Sequence, residues 1–103
     1  MSTQVSNESD TNVIEKKEVK EPGKFNVIFL NDDYTPMEFV VQILMSVFHH
    51  SKDSSARIMM EVHEKGKGVA GTYSYEIAEQ KSAETEAWAR NKSYPLKTVI
   101  EPE

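Results

Sequence analysis

Along this chain the apolar residues switch between two spacings, and the switches mark out the elements. From Lys24 to Leu30, Phe25, Val27 and Phe29 fall on one side of an extended run, and Asn26, Ile28 and Leu30 on the other. That period of two predicts a strand with at least one buried face. After the polar triplet Asn31, Asp32 and Asp33 the period changes. Val40, Ile43, Leu44, Val47 and Phe48 follow the i, i+3, i+4, i+7, i+8 spacing of a core-facing helix, predicted from Pro36 to about His49. Phe39, Val41 and Met45 widen its apolar arc, so this helix is expected to be contacted on more than one side. Its start has a sharp signature. Thr35 reads as the N-cap, Pro36 as the first helical residue and Glu38 as the third, which together form a capping box.

A second helix is predicted from a cap at Asp53 to Gly66, with Ala56, Met59, Met60 and His63 as its inner face, Val62 beside them, and Arg57 and Glu61 free to pair on the outside. Lys67 to Tyr73 is a short strand in which Gly68 and Gly71 indicate close backbone approach or a bulge. Ser74 caps a third helix, Tyr75 to about Asn91, mostly polar, with Ile77, Ala78, Thr85, Trp88 and Ala89 as a thin packing stripe. Pro95 to Glu101 reads as a last strand before Pro102. The order is βααβαβ, an α+β domain in which helices cover one face of a small sheet.

Residues 1–23 sustain neither period and contain no aromatic side chain. Such a segment cannot bury enough surface to offset its ordering entropy, so it is expected to be a disordered tail ahead of a folded domain at 24–103. Composition then narrows the functional classes. With 17 acidic and 12 basic residues the net charge is −5, which offers no electrostatic footprint for nucleic acid. There is no basic amphipathic helix for a membrane surface, no apolar run of transmembrane length and no secretory core, so a cytoplasmic protein is expected. The absence of cysteine excludes disulfides and thiolate metal sites.

No glycine-rich phosphate loop, H-E-x-x-H pair or G-x-S-x-G turn is present. Asp32 and Asp33 are adjacent and point different ways, a poor arrangement for a catalytic dyad. His49 and His50 stand where a helix ends, and a cationic imidazole complements the dipole there. On position alone, His63 reads as a packed core histidine.

Three longer motifs add to this. NDDYTPMEFVVQIL (Asn31 to Leu44), ARIMMEVHEKG (Ala56 to Gly66) and GTYSYEIAEQK (Gly71 to Lys81) occur in that order, and with them residues 24–101 resemble the ClpS family. These are adaptors that carry proteins with N-terminal degradation signals to a Clp-type AAA+ protease. The resemblance implies a three-stranded antiparallel sheet packed against three helices, and a binding protein without enzymatic activity, cofactor or metal. By position it implies that Asn31, Asp32 and a neutral His63 accept from the substrate α-ammonium. It further implies an apolar pocket for the first side chain, lined by Thr35, Met37, Val40, Met59, Val62 and Leu96, with Met37 as a gate against β-branched residues. Glu76 and Lys81 would dock on the N-terminal domain of a ClpA-like unfoldase. The implied partners are substrate proteins beginning with Phe, Leu, Tyr or Trp, bound by a monomer.

Two other classes are compatible with the residues. A carboxylate–histidine metal hydrolase would use Asp32, Asp33 and His63. A protein-interaction domain like the C-terminal domain of the ribosomal stalk protein would share the element order and ignore free amines.

Overall fold

The structure, a computed structural model, describes residues 23–103; the tail expected over residues 1–23 lies, apart from Gly23, outside the described residues. The elements follow the predicted order: β1 (Phe25–Leu30), α1 (Met37–Ser46), α2 (Lys52–Lys65), β2 (Lys67–Tyr73), α3 (Tyr75–Asn91) and β3 (Lys97–Pro102). β1 is central in an antiparallel sheet of order β2-β1-β3. Its inward residues Val27 and Phe29 are completely buried, and the whole α1 stripe from Val40 to Phe48 packs over them. Ile28, on the opposite face, is also buried, between its cross-strand partners Val69 and Val99.

Where local signals competed, tertiary contacts chose. The capping box does not form. Thr35 gives both its N–H and its hydroxyl to the Asp32 carboxylate, so Pro36 occupies the cap position and Met37 becomes the first helical residue. The Pro36 carbonyl opens the helix by accepting from the N–H groups of Phe39 and Val40. At its other end α1 stops at Ser46 rather than near His49, because His49 turns into the left-handed region (φ 61°). His50 is thereby carried away from the helix terminus. Its Nε2–H donates to the Ala70 carbonyl, 2.5 Å away. Ala70 is the extra residue of a bulge, since Val27 faces Gly71 while Ile28 faces Val69. A buried bulge carbonyl needs a donor, and the imidazole supplies one.

α2 is capped by Ser51, whose Oγ accepts from the Ser54 N–H at 3.1 Å, and not by Asp53. Gly66 ends it as expected, at φ 88°. Its inner face is Ser55, Ile58, Met59 and Val62, one residue back from the predicted set, a rotation of about 100°. Met60 and His63 are consequently exposed, and Arg57 donates to the Ser54 hydroxyl rather than pairing with Glu61.

The third helix has the predicted bounds but a thinner stripe. Ala78, Thr85 and Ala89 are buried, whereas Ile77 and Trp88 stand at its edges and remain exposed. Small residues let the α3 backbone sit close to the sheet. Glu86 then reaches β3, accepting from the Thr98 N–H (2.8 Å) and hydroxyl (3.0 Å). β3 starts at Lys97, two residues later than predicted, because Leu96 turns into the core. It also runs through Pro102, which an edge strand tolerates.

Candidate functional site

The end of β1 meets the end of α2 where the Asn31 N–H donates to the Gly66 carbonyl at 2.9 Å. This bond holds the polar triplet beside the last turn of α2. Within the loop, Asp32 Oδ1 accepts from the N–H groups of Tyr34 and Thr35, both at 2.7 Å, and Oδ2 accepts from the Thr35 hydroxyl at 2.8 Å. Partial burial works to raise the Asp32 pKa, but these three donors outweigh it and hold the carboxyl below its ordinary value of 3.8. Asp32 is therefore an anion whose lone pairs are mostly occupied: of about four acceptor sites, three are committed to the loop. Asn31 is exposed and anchored through its backbone, and among the described residues its side-chain oxygen has no partner.

Between this loop and α2 lies a cavity of ≈ 220 Å³. The loop and the first turns of α1 supply Asn31, Asp32, Asp33, Thr35, Met37 and Val40; α2 supplies Met59, Val62 and His63. Val40 and Val62 are buried, Met59 is half-buried, and Met37 stands at the mouth, 41% exposed. Among the described residues no lysine or arginine lines the cavity, while two carboxylates do. Its polar rim thus presents acceptors and negative charge, and its depth presents hydrocarbon and thioether. An apolar cavity of about 150 Å³ is sufficient for a benzene ring, so this one has room for one aromatic side chain and little more.

Eight of the nine residues assigned to the amine site and the apolar pocket meet at this cavity. Leu96 is the exception: it is buried in the core, 4% exposed, and does not line the cavity. Asp33 lines it and was not assigned. The doubled aspartate was the available signal, read as a poor catalytic dyad and, with His63, as a possible metal set. His63 faces the cavity from an exposed position rather than packing in the core. Asp32, Asp33 and His63 all line the cavity, yet no three potential metal ligands converge among the described residues. The α3 pair is placed away from this cavity. Glu76 is exposed in the first turn, whereas Lys81 is half-buried, its Nζ donating to the Val47 carbonyl at 2.7 Å and lying 5.8 Å from the centre of the Tyr73 ring. None of the helices among the described residues is long and apolar enough to cross a membrane.

Comparison with known proteins gives these features a context. Residues 20–99 match the family model described as ATP-dependent Clp protease adaptor protein ClpS. The chain is 48% identical over 103 residues to the ATP-dependent Clp protease adapter protein ClpS of Acetivibrio thermocellus, covering all of both chains. It is 50% identical over 92 residues to that of Nitratidesulfovibrio vulgaris, across 89% of this chain and 92% of the other. Among solved structures, Agrobacterium tumefaciens ClpS2 bound to L-phenylalaninamide superposes with a TM-score of 0.77 at 40% identity, over 81% of this chain and 100% of that one. The fold, the three motifs and these full-length matches agree: the chain belongs to the ClpS family of ATP-dependent Clp protease adaptor proteins.

Proposed function

We propose that this adaptor holds substrate proteins by their free α-ammonium and bulky apolar first residue, and hands them to the N-terminal domain of a ClpA-like AAA+ unfoldase. The observation that carries this is the cavity itself, with an anionic, acceptor-lined rim directly above an apolar depth of aromatic size. An ammonium has three N–H donors and a positive charge. Asn31 Oδ1 and a His63 ring nitrogen accept from it directly, while Asp32 and Asp33 supply the field. The relative bound to L-phenylalaninamide supports the reading, because that ligand is a free α-amine joined to a benzyl side chain. Burying such a side chain contributes about 1.5–3 kcal/mol. As a member of an adaptor family, the chain acts by binding and not as an enzyme. It works in the cytoplasm as a monomer.

Fluorescence anisotropy with peptides that differ only in residue one tests the reading. Peptides beginning with Phe, Leu, Tyr or Trp bind; those beginning with Ile, Val, Ser or Glu bind at least about ten-fold more weakly. Equal affinity across the series overturns it. Met37 at the mouth is the gate, since a β-branched side chain widens next to the backbone, where the thioether stands. Met37→Ala therefore narrows the Leu-to-Ile preference to within a few-fold in the same assay.

Delivery is assigned to α3. Glu76 is exposed and free to meet a partner, but Lys81 already caps the Val47 carbonyl. The two substitutions should therefore behave differently. Glu76→Ala lowers degradation of a Phe-initiated substrate by the assembled protease and leaves peptide affinity and melting temperature unchanged. Lys81→Ala lowers degradation and also costs about 1 kcal/mol of stability, because a part-buried carbonyl loses its donor. Thermal melts beside degradation assays separate them; a Glu76→Ala variant that delivers at the wild-type rate removes α3 as the docking face.

A further inference from the structure

Sulfur in this chain is carried by five methionines and no cysteine, so a mild peroxide meets thioethers and no thiol. Four of the five lie among the described residues, and they divide by place. Met37, Met45 and Met60 are exposed to almost the same extent, 41%, 40% and 39%, while Met59 is half-buried. By exposure the first three are equally open to attack. Of these three only Met37 lines the cavity, at its mouth; Met59 lines it from α2 with less of its surface open. Met45 shares α1 with Met37, and Met60 adjoins Met59, yet neither borders the cavity. An oxygen added at Met45 or Met60 alters outer surface alone. The same oxygen at Met37 alters the gate.

We propose that Met37 is a reversible redox switch on first-residue binding: oxidised to the sulfoxide by hydrogen peroxide, it loosens the pocket's hold on apolar side chains, and reduction restores it. The proposal rests on the first-residue reading above. In the forward step a sulfur lone pair attacks one peroxide oxygen. The S–O bond forms, the O–O bond breaks, the sulfur is oxidised by two electrons, and the second oxygen leaves as water. In the reverse step, run by methionine sulfoxide reductases, two thiols become a disulfide and the oxygen leaves as water. The oxygen gained at Met37 is a strong acceptor, and burying it without a donor is costly. Donors are scarce here. Among the described residues no lysine or arginine lines the cavity, and the Thr35 N–H and hydroxyl are already given to Asp32. Asn31 and His63 remain, and both are assigned to the ammonium. An aromatic side chain pressed against the gate strips water from the sulfoxide and offers nothing in return. A space of ≈ 220 Å³ that holds one ring also has little room for a further atom.

The test treats the full chain with hydrogen peroxide, counts sulfoxide at each methionine by tandem mass spectrometry, and reads anisotropy with labelled Phe-initiated peptides, free or acetylated. Treatment stops while Met59 is still a thioether. Chains oxidised at Met37 then bind the free peptide about ten-fold or more weakly. A- and B-type methionine sulfoxide reductases with dithiothreitol restore binding, both being needed because each reduces one epimer. The double variant Met45→Leu, Met60→Leu loses affinity on treatment as the wild type does. Met37→Leu, compared only with its own untreated affinity, changes by less than about two-fold. Saturating peptide slows oxidation at Met37 and leaves the rates at Met45 and Met60 as they were. The proposal is overturned if Met37 sulfoxide binds as tightly as the thioether, if Met37→Leu loses as much as the wild type, or if peptide gives Met37 no protection. Should a leucine variant not fold, the wild type decides: the loss must track sulfoxide at Met37 and not at Met45 or Met60, and any other correlation overturns the proposal. An untreated chain that ignores the free amine, or binds acetylated peptide equally well, instead overturns the function on which it rests.

Discussion

A Phe-initiated peptide loses about a hundred-fold or more of its affinity when its α-amine is acetylated. The free ammonium brings a positive charge and three donors to a rim made of Asn31, His63 and two carboxylates, with no cation among the described lining residues. Hydrogen bonds involving a charged partner are worth roughly 1.5–3 kcal/mol each. Losing two of them amounts to at least about 3 kcal/mol, which is more than a hundred-fold. Acetylation also leaves the acceptors facing an amide methyl with nothing to offer them. The same chemistry predicts the pH dependence. A free α-amine titrates at roughly 7.7–8.0, and the anionic rim raises that value in the complex, so affinity persists through neutrality and falls as pH climbs past the bound amine's pKa. On the acid side Asp32 stays ionised down to below 3.8. Affinity measured from pH 5 to 10 with free and acetylated peptides checks the alkaline limb; an acetylated peptide that binds as tightly as the free one sinks the amine site.

Asp32→Ala abolishes peptide binding and lowers the melting temperature by about 10 °C. One carboxylate does two things here. It contributes charge to the rim, and it gathers the N–H groups of Tyr34 and Thr35 and the Thr35 hydroxyl into a closed turn. Removing a side-chain acceptor of backbone N–H groups at a helix entrance typically costs about 1–2 kcal/mol, and the hydroxyl adds to that. In a domain of this size, each kcal/mol shifts the midpoint by roughly 4–8 °C. The sign with pH follows from the depressed pKa. The stabilisation is fully present above the unfolded-state value and is lost as pH falls through the folded-state value below 3.8. Wild type and Asp32→Ala should therefore differ most at neutral pH and converge in strong acid. Calorimetric melts at several pH values measure this. A constant difference across that range would mean that the carboxylate's charge is not what orders the loop. Asp32→Asn separates the two roles, because the amide oxygen can still accept from both N–H groups while the charge is gone: it should recover part of the stability and little of the binding.

Most of the cavity's wall was legible before any coordinates. Apolar periods place Val40, Met59 and Val62 on two helices, and the resemblance carried by the three motifs assigned them, with Met37, to one pocket. The misreadings share a cause. Thr35 looked like a cap because its spacing to Glu38 is a cap's spacing, yet the Asp32 carboxylate takes both its N–H and its hydroxyl, and the cap moves on to Pro36. His63 looked like a core residue because it follows Met59 by one turn on a predicted apolar face and lies beside Val62; a one-residue rotation of α2 turned it outward to the rim. The resemblance assigns Leu96 to the pocket, but the turn ahead of β3 places it in the core, away from the cavity lining.

What the sequence by itself determined is the set of elements and their order, the buried α1 stripe, the glycine that ends α2, and the clustering of asparagine and aspartate at the end of β1. All of these rest on interactions within a few residues, where periodicity and backbone preference decide. Only the tertiary structure decided which face of α2 turns inward, that the Asn31 N–H meets the Gly66 carbonyl, that Lys81 spends its charge on Val47, and that Gly68 presses against Val62. Each of these joins residues brought together by chain closure. Their outcome depends on distances of a few tenths of an ångström between elements, and no local spacing encodes such distances.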